Sequence, residues 1–291
     1  MSRLRLQFII GQLTYGGSER HLVDTVLHLD WQRFKVQVVC LRPGGPLAAP
    51  LKEAGVDYLE IPVIGGCGLP GWRLYRAIRR FDPRIVYTFT FVDKLWGRLA
   101  AALAKTPVII TSFRNSTTAY YEPWLCRLST AVVCNSENLQ TFYRRRYNIP
   151  PEKVLYLPNG IDLASRQPQS RAEARKRLGV DPEALLAAQV ARLHPNKDHP
   201  TSLAAFKLVG KRLPQARLML IGHGDPAKAR RMISGLGLEE SVYLLKTTPR
   251  MEDVYNAADL VMLSSRHEGV PRAMVEAAAH ARPLLATTVG G

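Results

Sequence analysis

The chain has 291 residues, of which 46% are hydrophobic, and it carries a formal net charge of +16 at pH 7. No apolar run approaches the ~20 residues that a membrane-spanning helix needs, which argues against a helical membrane protein. The positive charge favours an anionic partner, such as a phospholipid surface, a phosphorylated glycan or a nucleic acid, without choosing among them.

At a soft average of ~150 residues per domain, the length predicts two domains. In the first half, apolar runs typical of buried strands alternate with segments of helical periodicity. The predicted strands are residues 4–10, 34–41, 56–63, 84–90, 107–113, 131–136 and 153–158. The predicted helices are residues 18–29, 45–55, 72–81, 96–105 and 137–147. Ser18 is a candidate N-cap for the first helix. The first strand is basic and then apolar, but its apolar part is short and lacks a small-residue cleavage site, so it does not resemble a signal peptide.

A polar stretch rich in proline and charge follows residue 160 and is typical of a linker with a short helix. We therefore predict one domain over residues 1–160 and a second over residues 161–291. The second has predicted strands at residues 184–192, 216–222, 241–246, 259–265 and 283–288. Its predicted helices are residues 199–213, 226–237, 251–258 and 271–281.

Strands that alternate with helices in this way indicate βαβ units and a parallel sheet in each half. The predicted fold class is therefore α/β, with two doubly wound, Rossmann-like domains that face a cleft and bind ligands beyond the carboxyl ends of their strands. The second domain has fewer elements and ends after a strand, so we expect it to be incomplete.

The four cysteines, Cys40, Cys67, Cys126 and Cys134, form no C-x-x-C pair, and two of them lie in strand-like runs. They are typical of small buried side chains in a reducing compartment, and a zinc site is not expected.

Two arginine-rich segments account for part of the positive charge: Arg73, Arg76, Arg79, Arg80 and Arg84 form the first, and Arg144, Arg145 and Arg146 form the second. One interpretation is a solvated helix face, which is the usual case for such runs. The other is a surface for an anionic membrane or acceptor, because Trp72, Leu74, Tyr75, Ile78 and Phe81 would give the first segment an apolar side.

Two glutamates surround the predicted start of the helix at residues 271–281. Pro271 suits a first helical turn, and the backbone N–H groups near Gly269 and Val270 would offer an anion site for a diphosphate. Glu276 follows about 7 Å further along the axis, where its carboxylate would suit the vicinal hydroxyls of a ribose. Glu268 would accept from a sugar hydroxyl. The alternative is an acid that is favourable to the helix dipole and an exposed helix glutamate.

A second motif, R-x4-K, places Arg192 and Lys197 after the strand at residues 184–192. A guanidinium fork and an ammonium on one loop would flank a diphosphate, although a solvated loop of a basic protein is the alternative. Gly16 and Gly17 lie between the first strand and its helix, where backbone would approach a ligand. Gly222, with Gly224, ends another strand and is a weaker candidate.

Several nucleotide-binding patterns are missing from the sequence. There is no complete G-x-G-x-x-G with an acidic residue after the second strand, which weakens a dinucleotide oxidoreductase, and there is no P-loop. The absence of D-x-D predicts that phosphates are handled without a carboxylate-held divalent metal.

Together these motifs resemble the family-4 retaining glycosyltransferases of the GT-B fold, over nearly the whole chain. The resemblance rests on E-G-x-P-x4-E at residues 268–276, R-x4-K at residues 192–197, and the segments at residues 16–29 and 135–162. It implies an enzyme that transfers a sugar with retention, without a metal or other cofactor, from a UDP-sugar or GDP-sugar. The acceptor would be lipid-linked or a polysaccharide in the synthesis of cell-envelope glycans such as lipopolysaccharide.

The resemblance also implies roles for individual residues. Arg192 and Lys197 would hold the diphosphate, Glu276 the ribose, and Glu268 the donor sugar, so that Arg192, Lys197 and Glu268 are the catalytic candidates. Backbone at Gly269 and Val270, with Gly222, would contribute to the donor site, and Gly16 and Gly17 would face it from the other domain. No covalent nucleophile is nominated.

This chain departs from the resembled family at three places. Tyr87 and Phe89 stand where histidine is frequent, and Arg114 and Asn115 stand in a loop that often carries another, so Arg114 or Asn115 is the substitute candidate for contact with the sugar. Ala281 stands where a glycine usually ends the helix, which would cost roughly 1 kcal/mol in a left-handed cap. Family members also continue beyond the position that matches Gly291, and we expect this chain to be truncated.

Two other functions remain open on the sequence alone. A non-catalytic basic module would bind an anionic membrane or nucleic acid, with the charge as its support. A sugar-nucleotide epimerase would share the two-domain fold. The favoured interpretation is a cytoplasmic glycosyltransferase, peripheral at the inner face of the membrane, with no nucleic-acid partner.

Overall fold

A computed structural model describes residues 3–62, 69–116, 119–163, 170–246, 248 and 250–289. The chain divides into two compact units; the first reaches Gly160 and the second runs from Ile161 to Val289. Cys67, one of the four cysteines of the sequence, lies outside the described residues. No helix within those ranges is both long and apolar enough to cross a membrane.

The first unit contains a seven-stranded parallel sheet in the order β3-β2-β1-β4-β5-β6-β7 within the described residues. Its strands are β1 (Leu4–Ile10), β2 (Phe34–Cys40), β3 (Asp57–Glu60), β4 (Ile85–Thr88), β5 (Val108–Phe113), β6 (Ala131–Cys134) and β7 (Val154–Tyr156). Its helices are α1 (Gly17–Leu27), α2 (Ala48–Glu53), α3 (Leu69–Phe81), α4 (Phe91–Leu103), α5 (Glu122–Leu125) and α6 (Glu137–Tyr147).

The central strand β1 is buried over residues 6–10, as expected of a parallel strand that is covered on both faces. Phe8 and Ile10 belong to the core that includes α1 and α2, whereas Ile9, which points to the other face, belongs to the core that includes α3 and α4. Helices therefore cover both faces of the sheet, and the doubly wound architecture is confirmed.

The second unit contains a parallel sheet in the order β10-β9-β8-β11-β12 among the described residues. Its strands are β8 (Leu185–Val190), β9 (Ala216–Ile221), β10 (Val242–Leu245), β11 (Leu260–Leu263) and β12 (Leu284–Ala286). Its helices are α7 (Arg171–Leu178), α8 (His199–Gly210), α9 (Pro226–Leu236), α10 (Met251–Ala257) and α11 (Arg272–Ala279). One core packs α7, α10 and α11 on the sheet, and another packs α8 and α9.

Both sheets change winding direction at a defined place. In the first unit the strand order reverses between β1 and β4, and in the second it reverses between β8 and β11. Loops that leave neighbouring strands at such a switch point separate and leave a crevice at the carboxyl edge of the sheet. The crevice of the second unit lies between the loops that carry R-x4-K and E-G-x-P-x4-E.

Five predicted helix starts were wrong: those at residues 45, 72 and 96 by three to five residues, since α2, α3 and α4 begin at Ala48, Leu69 and Phe91, and those at residues 18 and 271 by one residue. Gly16 rather than Ser18 is the N-cap of α1, because the chain leaves extended geometry two residues earlier than the capping preference of serine predicted. Pro271 is itself the N-cap of α11, with φ −69° and ψ 122°, and Arg272 is the first helical residue.

Helix α11 ends in a left-handed residue that is not glycine. Ala281 has φ +52°, its N–H donates to the carbonyl of Ala278 at 2.9 Å, and the N–H of Arg282 donates to Ala277 at 3.0 Å. This pair of bonds is the Schellman pattern. The helix therefore ends in the usual left-handed cap geometry, with an alanine in the place of the usual glycine.

The three described cysteines are buried and form no disulfide within the described residues. Burial raises the pKa of each thiol, that of Cys134 to about 12. They behave as small core side chains, as the sequence predicted.

Candidate functional site

The candidate site lies at the carboxyl edge of the second sheet, where the paired strands β8 and β11 end. The loop after β8 carries Arg192 and Lys197, and the loop after β11 carries Glu268. The ammonium of Lys197 donates to Oε1 of Glu268, although the residues are 71 positions apart. Their side chains are 19% and 15% exposed. The fold thus brings a member of each predicted motif into direct contact.

A buried polar network holds the loop of Lys197 in place. The amide of Gln189 on β8 donates to the carbonyl of Lys197 at 3.1 Å and to Oγ of Ser264 at 3.2 Å. Oγ of Ser264 lies 3.0 Å from the Lys197 carbonyl oxygen and 2.8 Å from that of Asp198. The hydroxyl of Ser202 donates to the side-chain oxygen of Gln189 at 2.6 Å. Satisfied buried networks of this kind fix the backbone they contact.

The chain turns sharply between Lys197 and helix α8. Asp198 has φ +43° and occupies the N-cap position. Its carboxylate accepts from Nε and Nη2 of Arg266 at 3.1 and 3.3 Å, and these bonds hold the pKa of Asp198 below its usual value. A second ion pair therefore connects the loops after β8 and β11.

Arg192 is exposed just beyond β8. Its carbonyl accepts a hydrogen bond from Nε2 of the buried His199 at 3.0 Å. Burial lowers the pKa of His199. The backbone of Arg192 is therefore held by α8 while its guanidinium stays at the surface of the carboxyl edge.

Glu276 is buried on α11, and each of its carboxylate oxygens has a donor. Nε of Arg272 donates to Oε1 at 2.7 Å, and the hydroxyl of Tyr255 donates to Oε2 at 2.6 Å. The side chains of Arg272 and Glu276 are 10% and 7% exposed. The interpretation of Glu276 as an ordinary exposed helix glutamate is therefore wrong.

Gly269, Val270 and Pro271 form the turn that leads into α11. Gly269 is buried, and Val270 and Pro271 are partly buried. Helix α11 begins at Arg272 without a side-chain hydrogen bond at its N-cap. The anion site suggested for this turn stays a prediction, as do the assigned roles of Gly269 and Val270.

Gly222 follows β9 and is held closely against the end of β8. A Cβ atom at Gly222 would lie 2.0 Å from the carbonyl oxygen of Ala191. Gly224, at φ +142°, would place a Cβ atom 2.5 Å from that of Leu193. Packing between two loops accounts for both glycines, and contact of Gly222 with a ligand stays a prediction.

The remaining candidates belong to the first unit. Gly16 lies at the N-terminus of α1, where a Cβ atom would come 2.1 Å from Oε2 of Glu19, and Gly17 is the first helical residue.

After β5, Arg114 donates to the side chain of Asn159, and the carbonyl of Asn115 accepts from the hydroxyl of Tyr143 at 2.6 Å. The contacts of all four candidates with a substrate remain predictions.

Tyr87 and Phe89, which stand where histidine was expected from the resemblance, belong to an aromatic cluster. The rings of Tyr87 and Phe89 are 4.4 Å apart, and both contact Phe8. Burial raises the pKa of Tyr87. These side chains are part of the core of the first unit.

Sequence reasoning missed the residues that hold the candidates in place. Arg272 is four positions before Glu276, and this i, i+4 spacing on a helix was a readable signal. Tyr255 lies 21 positions away on another helix, and no local pattern indicated it. Among the described residues, no group of three or more His, Cys, Asp or Glu is placed to hold a metal ion.

Comparison with known families and structures gives consistent results. The family described as Glycosyltransferase Family 4 matches residues 15–165, more than half of the chain. The family described as Glycosyl transferases group 1 matches residues 170–291.

Among individual proteins, D-inositol 3-phosphate glycosyltransferase of Segniliparus rotundus is 31% identical over 56% of this chain and 38% of its own length. The putative glycosyltransferase EpsF of Bacillus subtilis is 28% identical over 98% of this chain and 79% of its own length. UDP-Gal:alpha-D-GlcNAc-diphosphoundecaprenol alpha-1,3-galactosyltransferase of Escherichia coli is 23% identical over 75% and 61%. The chain thus matches about two fifths of the first of these relatives.

Two solved structures illustrate the fold. Anabaena HepE in complex with UDP-glucose superimposes with a TM-score of 0.84 at 20% identity, covering 99% of this chain and 82% of that one. WaaG, a glycosyltransferase involved in lipopolysaccharide biosynthesis, gives 0.74 at 17% identity, covering 98% and 82%. The predicted GT-B fold class is confirmed, and the chain belongs to glycosyltransferase family 4.

Proposed function

We propose that the protein transfers a sugar, with retention and without a metal ion, from a UDP-sugar or GDP-sugar to a glycan or lipid-linked acceptor of the cell envelope. The observation that carries the proposal is the contact of Lys197 with Glu268 at the carboxyl edge of β8 and β11. Family membership, and relatives whose names describe sugar transfer, support the same function.

In the proposed complex, Arg192 and Lys197 neutralise the diphosphate of the donor. An ammonium has three donors, so Lys197 can keep Glu268 and still bind a phosphate oxygen. Glu268 then lies beside the diphosphate, where its carboxylate accepts from a hydroxyl of the sugar. Glu276 accepts from the ribose, which fixes the nucleotide at the opposite end.

Catalysis in this proposal is electrostatic. As the bond between the anomeric carbon and the diphosphate breaks, negative charge grows on the leaving phosphate, and the cations of Arg192 and Lys197 stabilise it. The acceptor oxygen forms the new bond on the same face of the sugar, and a phosphate oxygen of the leaving group takes its proton. The other contribution is alignment of the acceptor hydroxyl with the anomeric carbon.

Nucleotide binding tests the proposal directly. We expect UDP or GDP to raise the thermal unfolding temperature of the protein and the Glu276→Gln variant to bind that nucleotide about tenfold or more weakly, because the variant loses a charged acceptor. The matched control is Glu240→Gln, at an exposed position of the same unit, which should bind as the original protein does.

Three results would separate the alternatives. Binding of neither nucleotide would refute the proposal. Steep salt dependence together with indifference to nucleotides would favour a basic module that binds membrane or nucleic acid. Conversion of the donor sugar without an acceptor would identify an epimerase.

The acceptor proposal places a glycan or lipid-linked substrate on the first unit. Three aromatic side chains, Phe91, Tyr120 and Trp124, are 53%, 86% and 64% exposed there. Phe91 and Tyr120 both contact the ring of Tyr121, at 5.7 and 5.3 Å between centroids. Apolar side chains that are exposed as a connected patch, rather than singly, mark interaction sites. A Trp124→Ala variant should raise the KM for the acceptor and leave the KM for the donor unchanged.

We propose membrane association through fewer apolar side chains of α3 than the sequence suggested. The expected apolar side of α3 is mostly used by the core, since Leu74, Ile78 and Phe81 are buried. Trp72 is exposed and stacks on Tyr75 at 5.0 Å, beside exposed arginines of the same helix. We expect binding to anionic vesicles that weakens in Trp72→Ala; flotation with no bound protein would refute peripheral attachment at the inner face.

A further inference from the structure

The carboxylate of Glu276 is held by two donors from different parts of the second unit. Tyr255 reaches it from α10, and Arg272 reaches it from the preceding turn of α11. One donor is a neutral hydroxyl and the other a charged guanidinium, and they contact different oxygens. The arrangement leaves the carboxylate little freedom to rotate.

The donors are themselves fixed by packing. Tyr255 is 1% exposed and belongs to the core that contains Val254, Ala257 and Ala277. Its ring centroid lies 5.2 Å from that of His280, whose Nδ1 is 2.8 Å from the carbonyl oxygen of Glu276. The hydroxyl of Tyr255 is therefore presented to Glu276 by a rigid part of the unit.

We propose that Tyr255 and Arg272 are positioning residues that set the orientation in which Glu276 accepts the vicinal hydroxyls of the nucleotide ribose. This inference rests on the proposed function and extends it to residues that do not themselves contact the donor. It predicts that the two side chains govern discrimination between ribose and a pentose that lacks these hydroxyls.

The physical reason is preorganisation. A free glutamate side chain loses rotamer freedom when it binds a ligand, and a side chain already fixed in the binding orientation avoids that cost. Two hydroxyls on adjacent carbons can donate side by side to the two oxygens of one carboxylate, so the fit depends on the orientation of that carboxylate. A carboxylate has about four acceptor positions on its two oxygens, so it can accept from more than one donor at a time.

A structural role alone would have a different consequence. If the Tyr255 hydroxyl only stabilised α10 against α11, its removal would change the folding free energy and would weaken every nucleotide by the same factor. If it positions Glu276, its removal weakens only nucleotides that have ribose hydroxyls. The two cases are distinguished by comparing the Kd of UDP with that of 2′,3′-dideoxy-UDP, and the Kd of GDP with that of 2′,3′-dideoxy-GDP.

The experiment measures the Kd of these four nucleotides by calorimetry for the original protein and for Tyr255→Phe. We expect the ribonucleotide Kd to rise about tenfold and the dideoxynucleotide Kd to stay unchanged. Arg272→Gln keeps an amide donor but removes the charge, and it should raise the ratio of the ribonucleotide Kd to the dideoxynucleotide Kd in the same way. This variant supplies the result if Tyr255→Phe does not fold. In a Glu276→Gln background, Tyr255→Phe should add no further loss of ribose preference.

The matched control is Tyr243→Phe, which removes a tyrosine hydroxyl that accepts from the backbone N–H of Asp181 in the same unit. It should leave the preference for ribose unchanged. Equal changes for ribonucleotide and dideoxynucleotide in Tyr255→Phe, or no change in either, would overturn the inference while leaving the proposed function standing. An original protein that binds neither UDP nor GDP would overturn both.

Discussion

Nη2 of Arg98 donates to both carboxylate oxygens of Glu122, at 2.8 and 2.9 Å, and the two side chains are 0% and 4% exposed. Nε of the same arginine donates to the carbonyl of Lys94 at 2.6 Å. This buried pair attaches the short helix α5, with its exposed Trp124, to the long helix α4. The aromatic side chains proposed for the acceptor therefore depend on an ion pair in the interior.

Removal of one member of this pair should be strongly destabilising, because the other charge stays buried without its partner. We expect Glu122→Leu to lower the free energy of unfolding of the first unit by about 3–5 kcal/mol. The double change Arg98→Met with Glu122→Leu should cost less than Glu122→Leu alone. Denaturant titration of the three proteins checks this order, and a double variant less stable than Glu122→Leu would contradict it.

Lys94 provides a pH-dependent prediction. Its ammonium lies 4.2 Å from the centre of the Phe113 ring, and burial lowers its pKa to about 8, against attraction by Glu122 and Asp93. Because the pKa of Lys94 is lower in the folded chain than in the unfolded chain, the folded state is most stable above pH 10.5, where the lysine is neutral in both states. This stability is lost as the pH falls through about 8, where the lysine takes up its proton in the folded state as well. Across that window the contribution changes by roughly 3 kcal/mol.

The measurement is the difference in unfolding free energy between the original protein and Lys94→Met at pH 7.5, 9 and 10.5. We expect the variant to be the more stable at pH 7.5 and its advantage to shrink as pH rises. Lys211→Met, at an exposed lysine, should show no such trend. A difference that does not vary with pH would contradict the assignment.

The end of α11 offers a substitution that should stabilise the protein. Ala281 occupies the left-handed position of a Schellman motif, whereas Gly237 occupies it in α9, at φ +67°. The steric cost of alanine in that conformation is about 1–2 kcal/mol, offset partly by the greater freedom of glycine in the unfolded chain. Ala281→Gly should therefore gain about 0.5–1 kcal/mol, and Gly237→Ala should lose a similar amount in thermal unfolding. A loss of stability in Ala281→Gly would show that the motif is not formed.

Gly222→Ala tests the packing of the loops around Arg192. The new methyl group would meet the carbonyl of Ala191 at 2.0 Å, so we expect a loss of roughly 1–3 kcal/mol from overpacking. Gly210, at the end of α8, has open space at its Cβ position, and Gly210→Ala should be neutral or stabilising by about 0.5–1 kcal/mol. Equal stability of Gly222→Ala and the original protein would show that the loops can separate freely.

The Lys197→Met variant tests catalysis rather than folding. Loss of a cation that stabilises the leaving diphosphate should reduce kcat by about 10²–10³. Lys207→Met, on the surface of α8, should retain full activity. An unchanged kcat in Lys197→Met would remove this residue from the mechanism.

Local pattern was sufficient for the regular elements that are long and strongly periodic. The strand at Leu4–Ile10 and the helix at Glu137–Tyr147 have the bounds that were predicted. In contrast, α5 was missed, because a helix of four residues has too few positions to show a period, and the buried carboxylate of Glu122 that holds it has its partner 24 positions away.

The candidate site divides in the same way. R-x4-K and E-G-x-P-x4-E are local motifs whose chemistry can be read from residue types and spacing, and their roles in substrate binding remain predictions. The sequence by itself determined the alternation of strands and helices, the family and the candidate residues. Only the tertiary structure decided that Lys197 contacts Glu268 and that Tyr255 donates a hydrogen bond to Glu276. It also decided that the apolar side of α3 packs mostly against the core. These contacts depend on strand order and on packing between distant segments, and periodicity in one segment carries no information about its partner in another.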